Sequence, residues 1–441
     1  MNNILIIGAG RSATALINYL LDAAPIHNWQ ITVADAQLEM AQQKVGGRPN
    51  ARATWLDATK PNDRKDLIQR ADLVVSLLPV HLHLEVANDC IRLKKHLVTA
   101  SYLSKEMYKL SDDARERNLI FMNEMGLDPG IDHMSMMQTI HEIQNLGGEL
   151  TAIRSYTGGL VAPENDDNPW QYKISWNPRN VVLAGSGTAQ YLENGKLKYI
   201  PYQRIFKSYK VLEIKNLGEF EVYPNRDSLL YREIYGISDI PNIIRGTMRR
   251  KGFCDAWSAL VEIGLTDPSY PIIDSAKLTY HALMEAFVEP GPGSVKDRVA
   301  ALLNISPNGE VIEKLEWLGL FSKKKIDLDK ASPASILQDL IVEKLKLKPD
   351  EKDMIVMRHE FEYKLNGKLK KRNSTLMMKG ENAKNTAMSK LVGLPLGIFV
   401  KHVMLGQIKQ TGVRLPVSPE VYEPVLEELK EFGLEFIEEE S

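Results

Sequence analysis

The chain has 441 residues, too many for one hydrophobic core, so two or three domains are expected. Its 44% hydrophobic and 25% charged content is that of an ordinary globular protein, and a formal net charge of −2 provides no basic footprint for nucleic acid or an anionic membrane surface. Cys90 and Cys254 make neither a disulfide framework nor a paired metal motif, and they suit a reducing compartment. Met1 leads directly into an apolar strand with no basic n-region, and the most apolar later stretch, 391–404, is interrupted by Pro395, Lys401 and His402. Neither a signal peptide nor a membrane span is expected, and the expected location is the cytoplasm.

Residues 4–7 are a short apolar run of the kind buried on both faces in a parallel sheet, and Gly8, Gly10 and Ala13 follow at once. Residues 14–21 then suit a helix. Strand, glycine turn and helix at this spacing define a dinucleotide-binding βαβ unit whose third glycine is Ala13. Gly8 permits the tight turn, Gly10 admits a pyrophosphate to the backbone, and Ala13 allows close helix packing, with the helix N-terminus offered to the phosphates. A second strand, 30–34, ends at Asp35, placed to accept hydrogen bonds from the adenosine ribose and to repel a 2′-phosphate. Asp35 therefore favours NAD, with NADP as the alternative. Residues 53–56 are an expected third strand, closed by Asp57 near the adenine.

The strongest later strand, 72–78, stops at Pro79, and His81 and His83 are expected on the loop that follows. Without a third ligand cluster nearby they suggest a wall for the nicotinamide ribose and not a metal. A helix at 84–94 leads to a strand at 96–100, whose carboxyl end carries Ser101 and Tyr102, the position where open α/β sheets place their ligand crevice. A helix at 105–117 and a strand at 119–122 complete the set. In 123–133, NEMGLDPGIDH, Asp128 before Pro129 reads as a helix N-cap with Pro at the first helical position, or as a carboxylate carried over the crevice. The helix itself is expected over 134–143.

After Gly148 short alternating segments (151–156, 198–202, 211–214, 219–223) indicate a mixed or antiparallel sheet. Arginine-bearing turns follow at YPNRDS, 223–228, and RGTMR, 245–249; Arg226 and Arg245 are candidates for bidentate carboxylate capture. Lys173 is expected to pair a carboxylate, to carry a proton or to be a solvated strand residue. Residues 274–287, 295–303, 310–318 and 335–345 suit helices, and a hairpin turns at Asn366-Gly367. Helices at 383–391 and 423–432 return the chain to the first domain.

Taken together, IIGAGRSA (6–13), TASYLS (99–104), NEMGLDPGIDH (123–133), GGLVAPE (158–164), YKISW (172–176), YPNRDS, RGTMR and TAMSKLVGLP (386–395) resemble the saccharopine dehydrogenase family of the glutamate-forming type, across nearly the whole chain and in order. The resemblance implies an α/β protein. A Rossmann-type parallel-sheet domain (1–130 and 385–441) is joined to a mixed-sheet α+β substrate and dimerisation domain (131–272 and 351–384) with a small helical insertion (273–350). It implies hydride transfer between a nicotinamide cofactor and the imine or secondary amine joining aminoadipate semialdehyde and glutamate, in a homodimer. The expected site set is Asp128 as acid/base or ammonium binder; Ser101, Tyr102, Arg226 and Arg245 as substrate binders; and Gly8, Gly10, Arg11, Ser12, Ala13, Asp35, Asp57, Leu78 and Pro79 around the cofactor. Two departures stand out: the fungal type lacks an acid at the position of Asp35, and its Cys before the Gly-Gly pair is Thr157 here. A carboxynorspermidine-type reductase, with a diamine in place of glutamate, and a non-catalytic nucleotide-binding protein are the alternatives.

Overall fold

A computed structural model describes residues 2–184 and 187–441. They form two compact units: Met1–Glu149 with Lys364–Lys368 and Gly380–Ile437, and Leu150–Tyr363 with Leu369–Lys379 and Glu438–Ser441.

In the first unit β1 (Asn3–Ile7), β2 (Gln30–Asp35), β3 (Ala51–Trp55), β4 (Leu73–Ser76), β5 (His96–Thr99), β6 (Ile120–Met122) and the late strand Gly412–Arg414 make a seven-stranded sheet. Every pairing is parallel. The order is Gly412–Arg414, β6, β5, β4, β1, β2, β3. Connections run outward in both directions from β1, so the sheet switches between β1 and β4, where such sheets hold their ligands. β4 is buried along its whole length and β1 in all but its first residue, as their unbroken apolar runs require. This unit extends past residue 130 because the helix Ile131–Asn145 packs on Pro419–Lys430.

The helix Thr14–His27 is clamped by Ala387–Met404, which continues straight through Pro395 instead of stopping at 391. Gly393 and Gly397 set the approach: a Cβ on Gly393 would lie 2.6 Å from the Leu16 nitrogen, and one on Gly397 2.7 Å from the Tyr19 ring. Burial of this helix outweighs the ladder hydrogen bond that Pro395 removes. Ala387–Met404 is long and apolar enough to cross a membrane, yet 72% of it is buried in the unit, as befits a core helix. At its far end Glu428 accepts from Tyr19 Oη and from Lys401 Nζ at 2.5 Å, with His402 Nε2 3.3 Å away. Burial alone would raise the Glu428 carboxyl, but these donors hold it at about 2.

The second unit is built on β7 (Glu149–Val161), β8 (Ala189–Glu193), β9 (Lys196–Ile200), β10 (Lys210–Ile214), β11 (Gly218–Pro224), β12 (Ile243–Arg250), β13 (Asp353–Leu365), β14 (Lys368–Lys379) and Ile437–Glu440. The order is β10, β11, β12, β7, β13, β14, Ile437–Glu440, with β8 on β12 and β9 on β8. β12 is parallel to β7 and antiparallel to β11, so the sheet is mixed. β7 absorbs the Gly-Gly pair into one long strand; a Cβ on Gly158 would lie 2.9 Å from the Met248 carbonyl oxygen. Asn366 and Gly367, both with positive φ (51° and 75°), close the β13–β14 hairpin. The helices Phe253–Ile263, Tyr280–Ala286, Val295–Leu302, Glu310–Leu318 and Pro333–Lys344 share one core with Trp170, Tyr172 and Trp257. The expected helix at 274–287 is divided, because the Thr279 side chain caps a new start at Tyr280.

Gly393→Ala is expected to lower stability by about 1–3 kcal/mol through overpacking, read as a fall in Tm. The stability contributed by the Glu428 cluster is complete above the ordinary carboxyl value of 4.5 and is lost as pH falls toward about 2. Glu428→Gln should therefore flatten the decline of Tm across that window.

Candidate active site

The first unit's site begins where β1 and β4 part. Gly8 has φ of 108°, and a Cβ there would lie 2.9 Å from the Leu77 carbonyl oxygen, so only glycine makes this turn. Its amide donates to the Ala34 carbonyl at 2.8 Å, tying the turn to β2. Gly10 differs: a Cβ there would meet no protein atom within 4 Å. Nothing in the protein's own packing demands that glycine, and the bare backbone leaves room for a ligand. Arg11–Ala13 form a 3-10 turn running into Thr14–His27, and no side chain caps its start. The Ala13 amide donates to the Gly10 carbonyl at 3.1 Å and the Ala15 amide to the Ser389 hydroxyl at 3.3 Å, so the turn ahead of them, backed by the helix dipole, is where a phosphate fits. Asp35 closes the far side: its Oδ2 accepts from the Ala9 amide at 2.7 Å and its Oδ1 from the Gln37 amide at 2.8 Å. Each carboxylate oxygen keeps a further lone pair for ribose hydroxyls. Asp57 follows β3 and bonds its own turn, through the Thr59 amide at 3.1 Å and hydroxyl at 2.6 Å; these bonds hold its carboxyl below the usual range.

Leu78 and Pro79 follow β4, and Pro79 occupies the N-cap of the helix Val80–Leu93. His81 and His83 therefore stand on a helix and not on a loop. Pro79 starts the helix earlier than the apolar spacing suggested. His81 is exposed, while His83 points into the unit, 5% exposed. His83 Nδ1 lies 2.9 Å from Ser76 Oγ and its Nε2 2.6 Å from Ser101 Oγ. Burial, with His81 alongside, pushes the ring down to about 4, so it is neutral at neutral pH. Among the described residues no group of three or more His, Cys, Asp or Glu converges as metal ligands.

Ser101 and Tyr102 lie just beyond β5, both half-buried, and Tyr102 Oη comes within 3.5 Å of Asp128 Oδ1. The structure thus brings together Ser101, Tyr102 and Asp128. Asp128 is not a helix cap. Gly130 holds that position before Ile131–Asn145, and Asp132 Oδ1 accepts its amide at 2.7 Å. The peptide Asp128–Pro129 is cis. The chain folds back so tightly, with the Gly126 amide donating to the Pro129 carbonyl at 2.9 Å, that a Cβ on Gly130 would lie 2.0 Å from the Gly126 oxygen.

Two residues quoted only as motif letters hold this loop. Glu124, 2% exposed with φ of 57°, accepts the Leu103 amide at 2.8 Å and pairs with His133 Nε2 at 2.8 Å. Its own amide donates to the Ser101 carbonyl at 3.1 Å. One buried side chain thereby ties the segment bearing Ser101 and Tyr102 to the helix that follows Asp128. The sequence signal was an acid nine positions before a histidine in NEMGLDPGIDH; nothing in the spacing showed that both would be buried.

In the second unit Arg226 and Arg245 meet at one corner, after β11 and on β12, where the Asn225 amide donates to the Arg245 carbonyl at 2.9 Å. Arg226 has φ of 56°, and its carbonyl accepts the Gln190 amide at 2.9 Å. The Arg245 guanidinium stacks 4.2 Å from the centre of the Tyr231 ring. Lys173 is not a solvated strand residue: it is 3% exposed and bonded to Asp167 and Glu351, each at 2.6 Å. Arg249, unremarked in the sequence, is 3% exposed, with its guanidinium 5.3 Å from the Tyr172 and Phe253 ring centres.

A parallel sheet in this order, with a glycine turn at its switch point and an acid ending β2, defines a dinucleotide-binding domain. Comparison with known proteins agrees and goes further. Residues 4–122 match the model described as saccharopine dehydrogenase NADP binding domain, and 126–434 match saccharopine dehydrogenase C-terminal domain. The chain is similar to saccharopine dehydrogenase [NADP(+), L-glutamate-forming] of Pyricularia oryzae, 34% identical with 98% of each chain covered. It is similar also to that of Saccharomyces cerevisiae, 33% identical with 97% of each covered. The structure of apo saccharopine dehydrogenase (L-Glu forming) from Saccharomyces cerevisiae superposes at a TM-score of 0.89, with 31% identity over 100% of both chains. The chain belongs to the saccharopine dehydrogenase family and is an oxidoreductase with a nicotinamide cofactor. Gly8, the open space over Gly10, the uncapped helix start and Asp35 fit that cofactor.

Glu124→Ala leaves the Leu103 amide and the buried His133 without this acceptor. Its expected cost is about 2–4 kcal/mol, measured by thermal unfolding, with a rise in substrate KM because the 101–103 segment loses its anchor.

Proposed function

We propose that the chain catalyses hydride transfer between a nicotinamide cofactor and the carbon–nitrogen bond that joins aminoadipate semialdehyde to glutamate in saccharopine. The observation that carries the reading is the grouping of Ser101, Tyr102 and Asp128 at the carboxyl end of β5, within a full-length likeness to glutamate-forming saccharopine dehydrogenases. In the reductive direction the glutamate amine condenses with the aldehyde, water leaves, and the imine carbon gains a hydride while its nitrogen gains a proton. The bound cofactor supplies the hydride. Asp128, half-buried beside the Tyr102 hydroxyl, suits holding that proton or the charged secondary amine. Ser101 supplies a hydroxyl to a substrate carboxylate. Arg226 and Arg245, on their shared corner of the second unit, have the fork geometry that carboxylates match. The rest of the task is orientation of the acceptor carbon.

The cofactor is read as NAD. The relatives are named for NADP(+), and here the two lines of support part. Asp35 supports that reading, because two like charges about 4 Å apart repel by roughly 4 kcal/mol near a protein surface.

Asp128→Asn is expected to lower kcat by about a hundredfold with Tm nearly unchanged, followed by nicotinamide absorbance. With aminoadipate semialdehyde and reduced cofactor, glutamate should serve as the amine and diaminopropane should not; the reverse preference would move the chain to the carboxynorspermidine-type reaction. Asp35→Ser should raise the NADPH-to-NADH ratio of kcat/KM by about tenfold or more, and an unchanged ratio would remove Asp35 from cofactor choice.

A further inference from the structure

The Ser101 hydroxyl is held from behind by a buried relay. Ser76, at the end of β4, is 0% exposed. Its Oγ lies 2.9 Å from His83 Nδ1, and His83 Nε2 lies 2.6 Å from Ser101 Oγ. Among the described residues these are the only partners of either serine hydroxyl. A neutral imidazole donates at one nitrogen and accepts at the other, so the relay has a direction. If Nδ1 carried the proton, the Ser76 O–H would be a buried donor without an acceptor, which is costly. With Nδ1 accepting, Ser76 is satisfied, and Nε2–H donates to Ser101 Oγ. The Ser101 proton then has no acceptor behind it and turns outward, from a side chain that is half-buried and so reachable.

We propose that His83 is a positioning residue that makes Ser101 an outward hydrogen-bond donor for a carboxylate oxygen of the amino-acid substrate. The direction is Ser76 to His83 to Ser101 to carboxylate. The opposite tautomer would make Ser101 an acceptor and suit an ammonium group, so the relay also selects a carboxylate-bearing amine over a diamine. The proposal rests on the reading of Ser101 as a substrate contact.

The test compares wild type, Ser101→Ala, His83→Leu, His83→Gln, Ser76→Ala and the double variant His83→Leu/Ser101→Ala in the saccharopine-oxidising assay, with Tm measured for each. Ser101→Ala is expected to raise the saccharopine KM by about tenfold, the scale of one hydrogen bond to a charged group, with the dinucleotide KM within about twofold. His83→Leu should raise it by a similar factor. His83→Gln, whose amide can still donate to Ser101, should restore most of the loss. The double variant should be no worse than Ser101→Ala, because His83 acts only through that hydroxyl. Ser76→Ala, which frees the tautomer without disturbing packing, should give a smaller rise and serves where His83→Leu does not fold. A His83→Leu loss that persists in full in the Ser101→Ala background would overturn the proposal while leaving the substrate reading intact. So would a folded His83→Gln protein with no rescue. A silent Ser101→Ala would overturn both.

Discussion

The site depends on one steric constraint, the contact between Gly8 and the Leu77 carbonyl across the gap where β1 and β4 part. Any side chain at residue 8 would push β4 and the segment after it outward. Leu78, Pro79 and the helix carrying His83 start from that segment, so their position follows from the same contact. On the other side the turn is fastened to β2 by the Ala34 carbonyl and the Asp35 carboxylate. A parallel sheet buried on both faces supplies the rigidity, and the glycines leave the backbone bare where a dinucleotide would lie.

Behind this frame the substrate side is held by buried polar links between segments distant in sequence. His83 bridges β4 and the Ser101 turn, and Glu124 bridges that turn and the helix after Asp128. Such links are favourable only when each member is satisfied, and they then fix orientation more tightly than apolar packing does. The second unit follows the same logic with Lys173, enclosed between Asp167 and Glu351.

What was legible in the sequence was local. The glycine turn, the acid at the end of β2, the Asn-Gly hairpin and the helix Glu310–Leu318 each follow from spacing over a few residues, and the structure reproduces them. Motif order across the chain identified the family, which composition and periodicity could not. What was missed depends on contacts between remote segments. His83 looked like a loop residue because apolar spacing starts the helix at Leu84, and its buried role was hidden because its partners lie on β4 and beyond β5. Asp128 stood open between a cap and a carboxylate over the crevice, because Asp-Pro before an apolar helix suits both; the Gly126–Gly130 fold moves the helix start to Ile131 and removes the cap. Pro395 looked like a helix end, because its tolerance comes from Gly393 and Gly397 seated on another helix. For Lys173 the sequence left pairing, proton carriage and solvation open, because Asp167 lies close in the chain but Glu351 is 178 positions away.

The most direct measurement is to mix the purified chain with saccharopine and oxidised nicotinamide dinucleotide, then quantify reduced cofactor by absorbance and glutamate by amino-acid analysis. The account predicts both products in equal amounts, formed only when saccharopine is present. Absence of reduced cofactor with either NAD or NADP, from protein that is folded and binds the dinucleotide, would contradict it.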